Sequence, residues 1–398
     1  MKYRNKFKIL RLINSNHDWR AILTAPPYNL ILRDFGDYTL IKYNQLFSNF
    51  KEDMVKEARG LIIKKVGRKY TPVCIPFTKF FCVGDPNAKN DLYKLYHRKQ
   101  WHIEEKIDGS LIKLWYDDDK WHISTSGTIQ AKDAPVQFEM KDITNYEELF
   151  LYASKDKIDW DRLDKHYTYL FELVGLENKV IVPYEVEDIY YLGRRNNYTF
   201  YEVPYMKDDC VGVEKCKRPK YKVIDVEGNP KKMMEQLQQE VDNLTKDDEH
   251  FEGYVVSDGG LKTRVKMKSS KYMELFFQKG NGIFTPRKIL LMILDQKDDD
   301  VISSFPEYKP QFDAVRRALC KWLESVKSDL RYMDNTTWET KKDFAEWAKQ
   351  TTNSAITFAA YNQDYWREGW LEGKVRSIQI DNLVKYIGIE ERKDEIDV

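Results

Sequence analysis

Five cysteines in 398 residues (Cys74, Cys82, Cys210, Cys216 and Cys320) are too few and too irregularly placed for a disulfide framework. They point to a reducing compartment. Cys210 and Cys216 have no second Cys/His pair at zinc spacing, which sets aside a zinc site. Long apolar runs are also missing. None approaches the ~18 residues that a membrane-spanning helix needs, so no membrane partner is expected. The opening stretch MKYRNKFKILRLINSNHDWR breaks its apolar residues with charge and does not read as a signal peptide. Neither sign of charge is in excess, and the net charge is +1. Any nucleic-acid surface must then be a local basic patch on an otherwise balanced protein. There is no internal repeat and no low-complexity tract.

What is present suits a large folded chain. Apolar residues make up 42% and charged residues 32%, enough for two or three domains with cores of their own. The first 278 residues carry strand and hairpin signals. Trp101–Lys106, Ser110–Tyr116 and Trp121–Ser126 read as three strands joined by Asp108-Gly109 and by Asp117–Lys120. Tyr167–Val174 and Tyr198–Val203 read as buried strands. Phe251–Ser257, the turn Asp258-Gly259-Gly260 and Lys262–Lys268 read as a further hairpin. The segment Lys207–Lys232 is polar and basic, and reads as a solvated loop.

The texture changes after Gly280-Asn281-Gly282. Thr285-Pro286 is a helix start. Phe312, Val315, Leu319, Leu323, Val326 and Leu330 recur at helical spacing. Thr336 to Glu339 fits a capping box ahead of Phe344 and Trp347. The expected division is therefore 1–278, a catalytic domain with an N-terminal extension, and 279–398, a mostly α-helical domain. Trp322, Trp338, Trp347, Trp366 and Trp370 in the second domain are read as core.

Four stretches carry chemistry. Lys106 lies two residues before Asp108-Gly109 at the end of a strand. A lysine amine attacks phosphorus only when neutral, so a nucleophilic lysine needs cations, a metal or desolvation around it. Arg264, Lys266 and Lys268 alternate in RVKMK and so share one face of a strand, an arrangement that makes sense around an anion such as a triphosphate. Glu172 sits inside the apolar run YLFELV, where a carboxylate is costly unless it is paired or binds something. Glu252 opens the apolar stretch FEGYVV. Carboxylates of this kind serve ribose hydroxyls and Mg²⁺, a hard cation that prefers oxygen.

Lys106-x-Asp108-Gly109, Phe171-Glu172, Glu252-Gly253 and Lys266-x-Lys268, in that order, resemble the covalent nucleotidyltransferase superfamily of DNA ligases, RNA ligases and capping guanylyltransferases. Finer features resemble its phage RNA ligase 1 family, known from T-even phages: KIDGSL, ARGLII (Ala58–Ile63), KFF (Lys79–Phe81) and FELVGLENKVIVPY (Phe171–Tyr184). In the last of these, Asn178-Lys179 stands where the family tends to have Asn-Arg. DNA ligases and capping enzymes usually carry Arg at the position of Leu111 and follow the catalytic domain with an OB-fold barrel, which nothing after residue 280 resembles. The likeness runs from about Arg59 to Lys268 and departs at Ser126, where the family has lysine before the glycine. Ser126 is left out of the candidate site.

The resemblance implies an α+β fold. An antiparallel-sheet, ATP-grasp-like nucleotidyltransferase domain would be followed by a helical domain. It also implies an ATP-dependent RNA ligase that joins 5′-phosphate and 3′-hydroxyl ends of single-stranded RNA or broken tRNA. The expected cofactors are ATP and Mg²⁺ or Mn²⁺. By the same resemblance Lys106 carries AMP, Glu172 binds ribose, and Glu252 and Asp108 meet the metal. Gly109 lets the backbone approach the nucleotide. Lys266 and Lys268 hold the α-phosphate and favour the neutral form of Lys106. Arg59 and Lys79 reach the β and γ phosphates. A monomer in the cytoplasm of a phage-infected bacterium is expected. The competing readings are a DNA ligase or capping enzyme, opposed by Leu111 and the helical tail, and a non-catalytic RNA-binding module, opposed by the presence of every motif residue.

Overall fold

A computed structural model of the chain describes residues 7–389, apart from 46, 141–142, 177–181, 183, 208–210, 248–250, 260–262, 274–283, 296 and 362–369. Asn178-Lys179, Cys210, Gly260, Lys262, Gly280-Asn281-Gly282 and Trp366, named above, lie outside the described residues. The chain falls into two compact units, Met1–Gln278 and Lys279–Val398. The fold is α+β, with antiparallel sheets in the first unit and helices in the second. No helix among the described residues is long and apolar enough to cross a membrane.

The first sheet of the first unit is a meander of β1 (Ile31–Phe35), β2 (Tyr38–Lys42), β3 (Arg59–Val66) and β4 (Lys69–Cys74). The strands that follow are β5 (Phe81–Cys82), β6 (Gln100–Glu105), β7 (Ser110–Asp117), β8 (Lys120–Thr125), β9 (Pro135–Met140) and β10 (Ile143–Asn145). After them come β11 (Tyr167–Val174), β12 (Asp188–Asn196), β13 (Glu202–Pro204), β14 (Tyr221–Asp225), β15 (Gly253–Ser257) and β16 (Arg264–Lys268). A second sheet has the order β13-β12-β11-β7-β8, a third β14-β6-β15-β16-β5, and β9 and β10 form a ribbon.

Strand alternation decides what each face does. On β1 to β3, Leu32, Ile41, Leu61 and Ile63 pack under the helices Lys8–Ser15 and Trp19–Thr24. The opposite face gives Leu40, Ile62 and Cys74 to a small core with Trp115 of β7. On the second sheet, Ile112, Leu114, Tyr169, Phe171 and Leu173 pack with the helix Tyr146–Ala153. Lys113 and Glu172 therefore point the other way. On the third sheet, Trp101, Ile103, Val256, Val265 and Met267 pack against the helices Lys89–Tyr96 and Pro230–Asp247. That turns Glu104, Arg264, Lys266 and Lys268 away from this core.

Several expectations are corrected. β6 and β7 are not a hairpin: they belong to different sheets, and Lys106–Gly109 is the crossing between them. The Lys106 N–H donates to the carbonyl of Gly253, 2.8 Å away, whereas Ser110 already pairs with Leu173. Asp117–Lys120 does form the expected hairpin, with Asp118 and Asp119 at φ +46° and +57°. Tyr198–Val203 is mostly a turn before β13, with Phe200 at φ +61°, and the long strand preceding it is β12. Inside the supposed loop Lys207–Lys232, Tyr221–Asp225 forms β14 and pairs with β6.

In the second unit, Thr285 caps the helix Pro286–Leu294, accepting from the Lys288 N–H at 3.3 Å. The helix Lys309–Asp334 buries Phe312, Val315, Leu319, Trp322, Leu323, Val326, Leu330 and Met333 on one face. The capping box stands at Thr340 and Asp343, at the head of the helix Lys341–Ala348, and not at Thr336. Thr336 instead donates its hydroxyl to the carbonyl of Tyr332.

Candidate active site

Lys106 follows directly on β6, on the same face as Glu104 and beside β15. Its Nζ lies 2.7 Å from Glu252 Oε2. The other carboxylate oxygen of Glu252 lies 2.9 Å from Lys268 Nζ. Glu252 is almost fully buried, and it is the group that brings the two lysines together. A buried carboxylate is stable when both oxygens meet cations, and this one satisfies that condition.

Asp108 is buried. Its Oδ1 accepts from the Tyr272 hydroxyl at 2.9 Å, and its Oδ2 accepts from the Val182 N–H at 2.9 Å. Its own N–H donates to the Tyr184 hydroxyl at 3.3 Å. The ring of Tyr272 lies 4.8 Å from the Lys268 ammonium, so this one side chain touches both Asp108 and Lys268. Tyr272 and Tyr184 were not singled out from the sequence. The signal was faint: KMKSSKYMEL places Tyr272 four residues past Lys268, where an ordinary core tyrosine would look the same.

Gly109 has a steric reason of its own. A Cβ there would lie 2.3 Å from the Leu173 carbonyl oxygen and 3.0 Å from Glu172 Cγ. The close approach that requires glycine is thus to β11. Glu172 stands on β11 opposite Leu111 of β7. Burial pushes its carboxyl up to about 7, with Lys106 and Arg59 working against that rise and Glu252 adding to it.

The three cations of β16 share a face but not a partner. Arg264 pairs with Glu202 of β13, in the second sheet, and its guanidinium lies 4.4 Å from the Phe77 ring. Lys268 pairs with Glu252. The anions beside these two cations are thus carboxylates of the protein. Lys266 is buried between them, across from Val255. Glu104, near Arg264, Glu202 and Tyr205, is pushed up to about 7 by burial.

Arg59 opens β3 and lies over the Phe80 ring at 5.3 Å. Among the described residues its buried Nη1 has no hydrogen-bond partner, which suits an anionic ligand. Lys79 is buried with its ammonium 5.4–5.8 Å from the rings of Tyr43, Phe50 and Phe81. It lines a cleft with Lys56, Lys94 and Arg264. Ser126 follows β8, and its carbonyl comes close to Gly60. Among the described residues no three carboxylate, histidine or cysteine groups gather as a metal cage. Both oxygens of Glu252 meet lysines and both of Asp108 meet donors, so these side chains as arranged do not by themselves make a metal site.

A sequence model described as RNA ligase matches residues 57–279, more than half of the chain, and the chain belongs to that family, the phage RNA ligase 1 type. It is similar to the RNA ligase of Rhodothermus phage RM378, 24% identical, covering 93% of this chain and 92% of the phage protein. It is also similar to an Autographa californica nuclear polyhedrosis virus protein assigned as a bifunctional polynucleotide kinase/RNA ligase. That match is 27% identical and covers 71% of this chain, but the chain spans only 40% of the viral protein's length. Among solved structures, an archaeal ATP-dependent RNA ligase superposes with a TM-score of 0.45 at 12% identity, over 67% of this chain and 65% of that one.

Proposed function

We propose that the protein is an ATP-dependent RNA ligase working through a lysyl-AMP on Lys106. The neutral Lys106 amine attacks the α-phosphorus of ATP. A P–N bond forms, the α–β bridging P–O bond breaks, and pyrophosphate leaves. A 5′-phosphate oxygen of RNA then attacks the same phosphorus and releases Lys106. A 3′-hydroxyl finally attacks the RNA phosphate, AMP departs, and a phosphodiester joins the ends. Each step is an in-line displacement at phosphorus, so positioning and charge neutralisation supply most of the catalysis.

The observation that carries this reading is the surroundings of Lys106. The lysine stands at a crossing between two sheets, held by a buried carboxylate that also holds Lys268. In this reading Lys266 and Lys268 bind the α-phosphate, Glu172 the ribose, and Arg59 and Lys79 the β and γ phosphates. Asp108 orients the crossing through Tyr272. A divalent cation, Mg²⁺ or Mn²⁺, would be held chiefly by the nucleotide's phosphate oxygens, with Glu252 as the carboxylate nearest Lys106. The RNA would present single-stranded ends, with broken tRNA in an infected bacterial cytoplasm as the natural case. The unit Lys279–Val398 would serve RNA choice.

Intact mass after incubation with ATP and Mg²⁺ tests the proposal. Wild type should gain one AMP, and Lys106→Ala should gain none. A wild type whose mass neither rises with ATP nor falls with pyrophosphate would sink the reading. Joining of 5′-phosphorylated RNA, compared with nicked duplex DNA and with GTP in place of ATP, then separates an RNA ligase from its DNA-joining and capping relatives.

A further inference from the structure

β3 pairs with β2 through Ile41 opposite Leu61 and Lys42 opposite Arg59, which leaves Gly60 without a partner. Gly60 is a β-bulge with φ +88°. Bulges bend a strand and re-aim the neighbouring side chain, and the neighbour here is Arg59. The bulge frees the Gly60 carbonyl from the ladder, where it faces the second sheet across a gap closed by Lys113. Lys113 of β7 reaches across that gap and donates to it at 2.5 Å.

Lys113 is fully buried. Among the described residues no carboxylate pairs with it, and burial, with the Arg59 charge nearby, holds its pKa below the usual lysine range. The amine has a structural task here, holding the backbone next to Arg59. Arg59 is half-buried, and among the described residues its buried Nη1 has no hydrogen-bond partner, which favours an anion on its open side.

We propose that Lys113 is a positioning residue for nucleotide capture: it pins the Gly60 bulge and so aims the Arg59 guanidinium at the site of the triphosphate tail. This rests on the ligase reading above. The polyphosphate tail is present only when lysyl-AMP forms. A pre-adenylylated RNA end carries no such tail. Lys113 therefore acts on the first step and not on the last.

Step-resolved kinetics of Lys113→Met, Arg59→Ala and the double variant test it. Lys113→Met should raise the ATP KM of lysyl-AMP formation about tenfold or more, on the scale of a misaimed charged contact. Sealing of pre-adenylylated RNA should stay within about threefold of wild type. In the Arg59→Ala background Lys113→Met should add nothing, because coupled residues are not additive. Gly60→Ala should share the first-step defect, since its Cβ would lie 2.7 Å from the Ser126 carbonyl and 3.0 Å from Lys113 Nζ. Equal loss in both steps, additive losses, or no loss would overturn the proposal. Should Lys113→Met fail to fold, Lys113→Gln takes its place with the same two readings. A wild type that forms no lysyl-AMP would overturn the ligase function alone. ATP titration calorimetry would then compare the same variants, and failure of wild type to bind ATP would overturn both.

Discussion

Glu252 divides its two oxygens between Lys106 and Lys268, at 2.7 and 2.9 Å. The same carboxylate thus ties the end of β6 to the end of β16, two strands separated in the sheet by β15. Glu252→Ala leaves two ammonium groups without their buried counter-ion. A loss on the order of 3 kcal/mol in stability is expected from breaking a buried pair. Lysyl-AMP formation should fall about a hundredfold or more. Chemical denaturation and intact mass read the two effects. In Lys106→Ala/Glu252→Ala the stability losses should sum to less than the single variants predict, since each removes the other's partner.

Tyr272→Phe keeps the ring beside Lys268 and removes only the hydroxyl that donates to Asp108 Oδ1. One lone pair of a buried carboxylate is then unsatisfied, at a cost of about 1–3 kcal/mol. The expected result is a roughly tenfold slower first step, in keeping with that energy, and a lower thermal midpoint. Tyr272→Ala should be worse on both counts. Wild-type behaviour of Tyr272→Phe would remove Asp108 from the positioning of Lys106.

The Glu172 carboxyl, raised to about 7 by burial, gives a pH test. An unfolded glutamate ionises near its ordinary value of 4.5, so between 4.5 and about 7 the folded state holds the extra proton. Folding stability therefore falls as pH rises through that window and levels off above it. Glu172→Gln removes this slope. Its stability relative to wild type should be greater at about pH 8 than at about pH 5, measured by denaturant titration at each pH. If the carboxylate also binds ribose, the wild-type ATP KM should fall as pH rises through about 7, and Glu172→Gln should lose that limb.

Gly109→Ala drives a methyl to 2.3 Å from the Leu173 carbonyl oxygen. Because the obstacle is strand backbone, the crossing must move. Destabilisation of several kcal/mol is expected, in the range of severe strain, along with loss of adenylylation. The thermal midpoint and intact mass together check it. A stable, active Gly109→Ala would mean that the contact with β11 is looser than described.

The sequence was most legible where a periodicity had one meaning. RVKMK has an apolar face of Val265 and Met267 and a cationic face of Arg264, Lys266 and Lys268, and the strand keeps both. Asp117–Lys120 and the helical stripe from Phe312 to Leu330 are of the same kind. Asp108-Gly109 misled because a turn dipeptide between two strands looks alike whether the strands pair or part. Only the long-range partners Gly253 and Leu173 separate β6 from β7. Strand β12 was missed because DIYYLGRRN alternates poorly and carries a glycine and two arginines. Thr336 drew attention as a cap because Glu339 stands three residues on, yet Thr340 with Asp343 meets the helix where it begins. The gathering of Glu252, Lys106 and Lys268 was suggested by motif order. The supports behind them, Tyr272 on Asp108 and Lys113 under Gly60, are tertiary contacts between ordinary-looking residues.

The crossing from β6 to β7 is four residues long, Lys106 to Gly109. An extended chain covers at most about 3.6 Å per residue, so the five steps from Glu105 to Ser110 strap the two sheets together within about 18 Å at this point. Lys106 is the first link of that strap. A nucleotide bonded to its side chain would be leashed to the seam for as long as the bond lasts, unable to drift with either sheet alone. RNA ends would then come to a fixed mooring, and the order of the reaction would be enforced by attachment before any affinity for AMP is needed.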